Sequence, residues 1–359
     1  MSRVEWLAIA DAISPSEVDR AVLARLAERS GVETRSCAAF EDGRFGFYKP
    51  GEIPGTAERM ALWLRAARAM TLDATTRALA QAAHAGVRTN NITHIVTASC
   101  TGFAAPGIDA LLIERLGLSK NITRLNVGFM GCHAAINALA VARAAVLANR
   151  HAVVLVTMAE VSSAHFHHHA RLDQLIANTL FADGCAAIIV TATATDHASR
   201  GQTRNDHAIA TLHNTHSVLI PETTEEMAWT IGNSGFEMTL GARVPDILAR
   251  DIRTWVERAL ATHGLKLADI KGWAIHPGGP RVIDAVAAAL GLTDEAVAPS
   301  RAVLRDFGNM SSATLRCILE RLARDGVPKP WVALAFGPGL AGEMLVCGTP
   351  PEASAARQE

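Results

Sequence analysis

NVGFMGCHAAINALAVARAAVLANRHAVVLVTM, residues 126–158, is the stretch on which the fold turns. Asn126 to Gly131 leads into a helix from Cys132 to about Asn149, and Val153 to Met158 follows as a strand. The helix is apolar nearly all round, so it belongs in the middle of the molecule rather than on its surface. A second copy of this unit stands further along. Phe307-Gly308-Asn309 enters a helix running to about Arg324, and Trp331 to Phe336 is its strand.

The units upstream repeat as well. Ile92 to Ser99 reads as a buried strand, Cys100-Thr101-Gly102 as a turn, and the next helix ends at Leu116-Gly117-Leu118. Later, Ile270 to Ile275 is the strand, His276-Pro277-Gly278-Gly279 the turn, and the helix ends at Leu290-Gly291-Leu292. Each half closes on a Gly-containing turn and an apolar strand, Cys185 to Val190 and Glu343 to Cys347. Alternating strands and helices predict α/β layers with parallel sheets. The internal repeat predicts two similar halves facing each other across a pseudo-twofold axis, with ligands where strand ends and helix N-termini converge.

The halves are expected to span 1–200 and 201–359, joined by the polar stretch Thr195 to His207. Leu212 to about Arg243 reads as excursion loops and strands that wall a pocket, and Pro350 to Glu359 as a frayed tail. Ser14 to Arg29 reads as an amphipathic helix with Arg25 and Arg29 on one face.

Composition narrows the function classes. Hydrophobic residues make up 49% and charged residues 19% of 359, enough to fill a large interior. A net charge of −1 supplies no basic field for nucleic acid, so an anionic substrate needs a local basic cluster. No apolar run reaches the ~20 residues of a membrane span. Met1 to Ala10 lacks a signal peptide's basic region and cleavage site, and the expected location is the cytoplasm. Six scattered cysteines without a CxxC pair predict free thiols, neither a disulfide framework nor a zinc site.

One cysteine differs from the rest. Cys132, at the head of a buried helix and beside the turn-forming Gly131, is placed to feel the positive end of the helix dipole, which predicts a lowered thiol pKa. The repeat sets Asn309 at the equivalent helix start of the second half. His276 ends a buried strand before Pro-Gly-Gly-Pro. Thiol, imidazole and amide meeting in one apolar place make an acyl-transfer site. The alternative for His276, as for most lone histidines, is a structural role.

Gly-Phe-Met-Gly-Cys-His at 128–133, Ile-His-Pro-Gly-Gly-Pro at 275–280, Phe-Gly-Asn-Met-Ser-Ser-Ala at 307–313 and Phe-Gly-Pro-Gly-Leu at 336–340 resemble the signatures of type III polyketide synthases. This is the chalcone-synthase-like branch of the thiolase fold, and the resemblance runs over about residues 15 to 348. It implies a five-layered α-β-α-β-α arrangement, a homodimer, and Cys132, His276 and Asn309 as catalytic triad. It also implies acyl-CoA starter and malonyl-CoA as substrates, with neither a carrier protein nor a separate cofactor. The product is then a pyrone or a resorcinol- or phloroglucinol-type ring.

By the same resemblance, CoA phosphates lie against Arg25 and Arg29, with Val22 replacing a third basic residue, and CoA contacts extend to Gly278 and Arg281. Phe181 matches the aromatic gatekeeper and Met238 the second one, a Phe in plant chalcone synthases. Cys100, Ala105, His165 and Trp229 depart from the plant pattern, and Ser311 completes the cavity. Ala105 replaces a Met that reaches into the neighbouring subunit, and Trp229 a small Gly, so Trp229 is expected to block one lobe. These changes suit a bacterial-type synthase with an aliphatic starter. The histidines at 165, 167, 168 and 169 are not expected to hold a metal, since sequence neighbours cannot all face one ion. His165 borders the cavity and the others are expected in solvent. Three rivals remain: an initiating ketoacyl-acyl-carrier-protein synthase, which uses a Cys-His-Asn triad on the same fold, a catalytically silent partner subunit, and a simple thioesterase if the site admits water.

Overall fold

A computed structural model describes residues 1–13, 17–43, 46–167, 171–192 and 208–348. The expected join at 195–207 and tail at 350–359 lie outside the described residues, as do Ser14 and the two residues after it.

In the first half the strands β1 (His94–Ser99), β2 (Thr123–Gly128), β3 (Val154–Val161) and β4 (Asp183–Val190) form one sheet in the order β2-β1-β3-β4. β1 runs parallel to β2 and β3, and β4 antiparallel to β3. In the second half β5 (Leu212–Leu219), β8 (Gly272–Ile275), β9 (Trp331–Gly337) and β10 (Ala341–Cys347) give the order β5-β10-β9-β8. β8 is parallel to β9, while β10 is antiparallel to both of its neighbours. β5 is thus an edge strand of the large sheet and not part of a pocket wall as expected from its sequence. The wall is the separate hairpin of β6 (Met227–Gly232) and β7 (Gly235–Leu240), which pair with each other.

The layers follow from how each strand divides its side chains. Along β3, Val154, Val156 and Met158 enter a central core, while Leu155, Ala159 and Val161 enter an outer one. Along β9, Trp331, Ala333 and Ala335 face the same central core, and Val332, Leu334 and Phe336 face the opposite outer one. Both strands are apolar on both faces because helices cover both faces.

The central layer is α5 (Ala134–Ala148) and α10 (Thr314–Arg324). Ala134, Ala135, Ala138 and Ala142 of α5 are buried, and their short side chains allow two sheets to approach it at once. By length and composition the stretch Gly131–Ala148 could cross a membrane; here it lies in this core. One outer layer holds α1 (Arg3–Ile13), α2 (Glu17–Arg29), α3 (Thr56–Ala83) and α4 (Ile108–Leu116). The other holds α7 (Val244–Ala261), α8 (Pro280–Leu290) and α9 (Asp294–Phe307). This is the expected α-β-α-β-α stack. Leucine-to-glycine helix ends read from the sequence recur as well: Gly117 and Gly291 cap α4 and α8 in the left-handed conformation.

Candidate active site

Two short turns, one ahead of each central helix, build the site. In the first half a 3-10 turn, Gly131–His133, runs into α5. In the second, Ser311–Ala313 runs into α10. Counting back from each helix start pairs Gly128 with Gly308, Phe129 with Asn309, Met130 with Met310, Gly131 with Ser311, and Cys132 with Ser312. The last station before the nucleophile agrees, Gly131 (φ +70°) and Ser311 (φ +48°) both being left-handed, while upstream Phe129 (φ +57°) and Gly308 (φ +73°) have no positive-φ counterpart. The expected equivalence of Cys132 and Asn309 is therefore corrected: Asn309 corresponds to Phe129, and the true counterpart of Cys132 is Ser312. Matching polar residue to polar residue had displaced the register by three.

The glycines of the motifs have steric causes. A Cβ on Gly131 would lie 2.5 Å from Cδ of Pro338, and one on Gly337 would lie 2.4 Å from Cδ2 of His133. The Phe-Gly-Pro-Gly-Leu segment thus packs directly under the Cys132 turn. Ser311 holds a conformation that costs a non-glycine residue ~1–2 kcal/mol. Its N–H donates to Oδ1 of Asn309 at 2.9 Å, which fixes both residues. With Oδ1 taken, the amide NH₂ is the end of Asn309 left to face the site.

Asn309 is buried, and its side chain lies close enough to influence both the Cys132 thiol and the His276 ring. His276 is 1% exposed, and neither of its ring nitrogens has a hydrogen-bond partner. Buried polar atoms are rarely left so, and an unpaired buried imidazole next to an amide that also reaches a thiol marks a candidate reacting group. Burial pushes the ring's pKa down to about 3, aided by the nearby His133, and pushes the Cys132 thiol up to about 12. The predicted lowering of the thiol pKa is overturned. Loss of hydration at this enclosed turn outweighs the helix terminus, and the buried carboxylate of Glu160 adds negative charge nearby. Both shifts run toward the uncharged forms, a protonated thiol and a neutral imidazole.

Glu160 was not anticipated. It ends the apolar strand β3, is fully buried, and accepts hydrogen bonds from the Cys100 and Thr101 N–H groups and the hydroxyls of Thr101 (2.8 Å) and Ser312. It ties the loop after β1 to the second half's turn, and burial raises its pKa. A carboxylate in so apolar a strand was the available signal. Ser311 stands between two sulfurs, with its hydroxyl 3.2 Å from Sγ of Cys100 and in reach of Cys132.

Aromatic rings close the site on the hairpin side. Trp229 donates its indole N–H to the Cys100 carbonyl at 2.7 Å and lies edge-on to His165, 5.6 Å between centroids. His165 stacks on Phe236 at 4.3 Å, and Phe181 lies 6.5 Å from Trp229. Nδ1 of His165 accepts from the Phe236 N–H and Nε2 donates to the Thr101 carbonyl, so both nitrogens are committed and burial keeps the ring neutral. Met238 pairs with Trp229 across the hairpin, which puts both side chains on one face. A void of about 30 Å³ lies behind Phe181, Trp229 and His165, against Trp6 and Phe40.

Three expectations fare differently. His167 is buried rather than in solvent, donating Nε2–H to the Phe236 carbonyl at 2.8 Å; His168 and His169 lie outside the described residues. Ala105 is exposed and does not line this chain's own cavity. Arg25 and Arg29 are exposed on α2, as is Arg281 at the start of α8, beside the half-buried Gly278. The end of α2 meets the start of α8 where Gly31 approaches Pro280, so Arg29 and Arg281 flank one junction.

Family comparisons cover most of the chain. The N-terminal domain of chalcone and stilbene synthases matches residues 48–194, and their C-terminal domain matches 211–350. The chain is 32% identical over 340 residues to the alpha-pyrone synthesis polyketide synthase-like Pks18 of Mycobacterium tuberculosis, covering 93% of this chain and 83% of that one. It is 34% identical over 341 residues to the 1,3,6,8-tetrahydroxynaphthalene synthase of Streptomyces peucetius, covering 94% and 86%. The crystal structure of PKS-I from the brown alga Ectocarpus siliculosus superposes with a TM-score of 0.86 at 29% identity, over 96% of this chain and 93% of that one.

Proposed function

Because this chain belongs to the chalcone and stilbene synthases, the type III polyketide synthases, we propose that Cys132, His276 and Asn309 are its catalytic triad. The enzyme extends a starter acyl-CoA by iterative decarboxylative condensation with malonyl-CoA and cyclises the product to a pyrone or a resorcinol- or phloroglucinol-type ring, without a carrier protein. The observation that carries the triad is Asn309, whose buried side chain is a neighbour of both the Cys132 thiol and the His276 ring, a ring buried with neither nitrogen in a hydrogen bond.

The uncharged forms of thiol and imidazole set the first step. As the starter thioester docks, the thiol proton passes to His276 and sulfur attacks the carbonyl carbon. The CoA thiolate leaves, taking the proton from His276. Malonyl-CoA then loses carbon dioxide, and the electrons of the broken C–C bond move into an enolate. Its oxygen accepts hydrogen bonds from His276 and the Asn309 NH₂. One such donor is worth ~3 kcal/mol, or 10²–10³ in rate. The enolate carbon attacks the acyl group on Cys132 and releases the thiolate, leaving the longer chain on CoA. The enclosing aromatic rings keep water from the acyl-enzyme.

Arg25, Arg29, Gly278 and Arg281 receive the CoA moiety at the junction of α2 and α8. Phe181, Met238, Cys100, His165, Trp229 and Ser311 shape the cavity, with an aliphatic starter. CoA thioesters are substrates, no separate cofactor takes part, and the reaction is cytoplasmic. The working unit is a homodimer. The open edge of β2 and the exposed Phe103, Leu125, Phe129 and Met130 supply an apolar surface that a second copy would cover, as well as Ala105 beside them. Light scattering after gel filtration tests this, and a monomer at micromolar concentration contradicts it.

Purified enzyme incubated with malonyl-CoA and a panel of starter CoA esters, with products identified by mass spectrometry, tests the whole reading. Cyclised polyketides are expected from wild type and none from Cys132→Ala. Products from both proteins would remove Cys132 from its role, and turnover of aromatic starters alone would overturn the aliphatic assignment.

A further inference from the structure

Arg35 has no part in the chemistry above, yet it is 3% exposed with no carboxylate in an ion pair with it among the described residues. Its guanidinium instead caps the end of α6 (Leu172–Leu180). Nη1 donates to the carbonyls of Asn178 (3.0 Å) and Phe181 (2.9 Å), and Nη2 to that of Thr179. The face of the fork lies 4.5 Å from the centre of the Trp6 ring. A cation at a helix C-terminus is favourable, and a planar fork reaches three carbonyls that no single-point donor would serve together.

The peptide so held is the one that grips Asn309. The Asn309 N–H donates to the Leu180 carbonyl, and the Ala182 N–H donates to the Asn309 carbonyl, both at 2.9 Å. The fit leaves no slack: a Cβ on Gly308 would lie 2.8 Å from that of Ala182. Leu180 also abuts Gly279 in the turn after His276, where an added Cβ would lie 3.3 Å from Cδ1. The backbone around Arg35 is anchored on the other side of Asn309. The N–H groups of Glu33 and Thr34 donate to the Arg305 carbonyl at the end of α9, at 2.8 and 3.1 Å, while the Ser36 carbonyl accepts from Asp183. The segment 33–36 therefore spans from the helix before Asn309 to the strand beside it.

From this arrangement we propose that Arg35 is a positioning residue for decarboxylation: it fixes the 178–182 peptide that sets Asn309. The inference rests on the triad assigned above. It separates two halves of the cycle, because Cys132 is held by the Gly131–His133 turn and Asn309 is the least of the groups acting on its thiol.

The test compares wild type, Arg35→Met and Arg35→Lys by two readouts: malonyl-CoA decarboxylation, followed as acetyl-CoA release, and alkylation of Cys132 by iodoacetamide, located by peptide mass spectrometry. For Arg35→Met, kcat for decarboxylation is expected to fall about 10²-fold with KM changed less than about twofold, the size of effect a ~1 Å misplacement produces. Alkylation of Cys132 should keep its rate, and Arg35→Lys should recover about tenfold of the lost kcat. Parallel loss of both readouts, or loss of neither, would overturn the proposal, since a role in folding alone lowers both together. If Arg35→Met is insoluble, Arg35→Lys decides by the same criterion: decarboxylation down about tenfold at an unchanged alkylation rate. A wild-type enzyme inert toward malonyl-CoA would instead count against the triad.

Discussion

The two central turns share a sequence pattern and one left-handed station, and they divide the chemistry unequally. Both run Gly-x-Met, then a left-handed residue, then a short side chain before the helix: Gly128-Phe129-Met130-Gly131-Cys132 and Gly308-Asn309-Met310-Ser311-Ser312. The first turn offers its fifth residue as nucleophile and leaves its second, Phe129, half exposed. The second offers its second residue, Asn309, and gives its fifth, Ser312, to Glu160. A duplicated frame thus yields a site with no symmetry in its functional groups. The scaffold decides where side chains can stand, and single residues decide which stations carry reactivity.

Exchanges at matched stations probe this contrast. The largest effect should come from Asn309→Ala, which is expected to lower malonyl-CoA decarboxylation about 10²–10³-fold. Phe129→Ala at the matched station should change it only slightly, and comparable losses in steady-state kinetics would show that the stations are not functionally distinct. Next comes the pH dependence of the thiol. With its pKa pushed up to about 12, Cys132 gains thiolate as pH rises, so iodoacetamide labelling should climb about tenfold per unit from pH 7 to 9. A plateau near neutrality would mean a preformed ion pair and would restore the helix terminus as the dominant influence.

The left-handed stations should differ in tolerance. Gly131→Ala meets both a positive φ and the Pro338 ring, and should cost ~2–4 kcal/mol in urea unfolding. Ser311→Gly removes strain at the same station and should cost far less. An effect smaller than that at Gly131 is expected at Ser312. Ser312→Ala removes one donor from the buried Glu160 carboxylate and should destabilise the protein by ~1–3 kcal/mol, measured by the same unfolding, with Cys132 labelling preserved.

Much of the architecture was legible because it is written in burial. Strands β1, β3, β8 and β9 are continuous apolar runs, and Gly117 and Gly291 mark two helix ends, so the duplicated frame could be read without coordinates. The errors arose where charge or polarity ran against that signal. β5, Leu-His-Asn-Thr-His-Ser-Val-Leu, carries five consecutive polar residues at an edge, and so resembles loop rather than sheet. The register of the turns was misjudged because Cys132 and Asn309 are the conspicuous residues, whereas the alignment is carried by the glycines before them. The places of Arg35 and Glu160 and the burial of His167 do not follow from their sequence neighbours, because each is a polar group whose partners come from distant segments. The sign of the Cys132 shift depended on enclosure by both halves, which no local pattern encodes.

The hairpin of β6 and β7 makes no ladder with either large sheet. Trp229 and Met238 can therefore be exchanged without unpairing a strand that the cores depend on. Evolution, or an engineer, can recontour the chamber on that side as one changes a mould's insert, while thiol and amide stay registered to the two central helices and the imidazole to the end of β8.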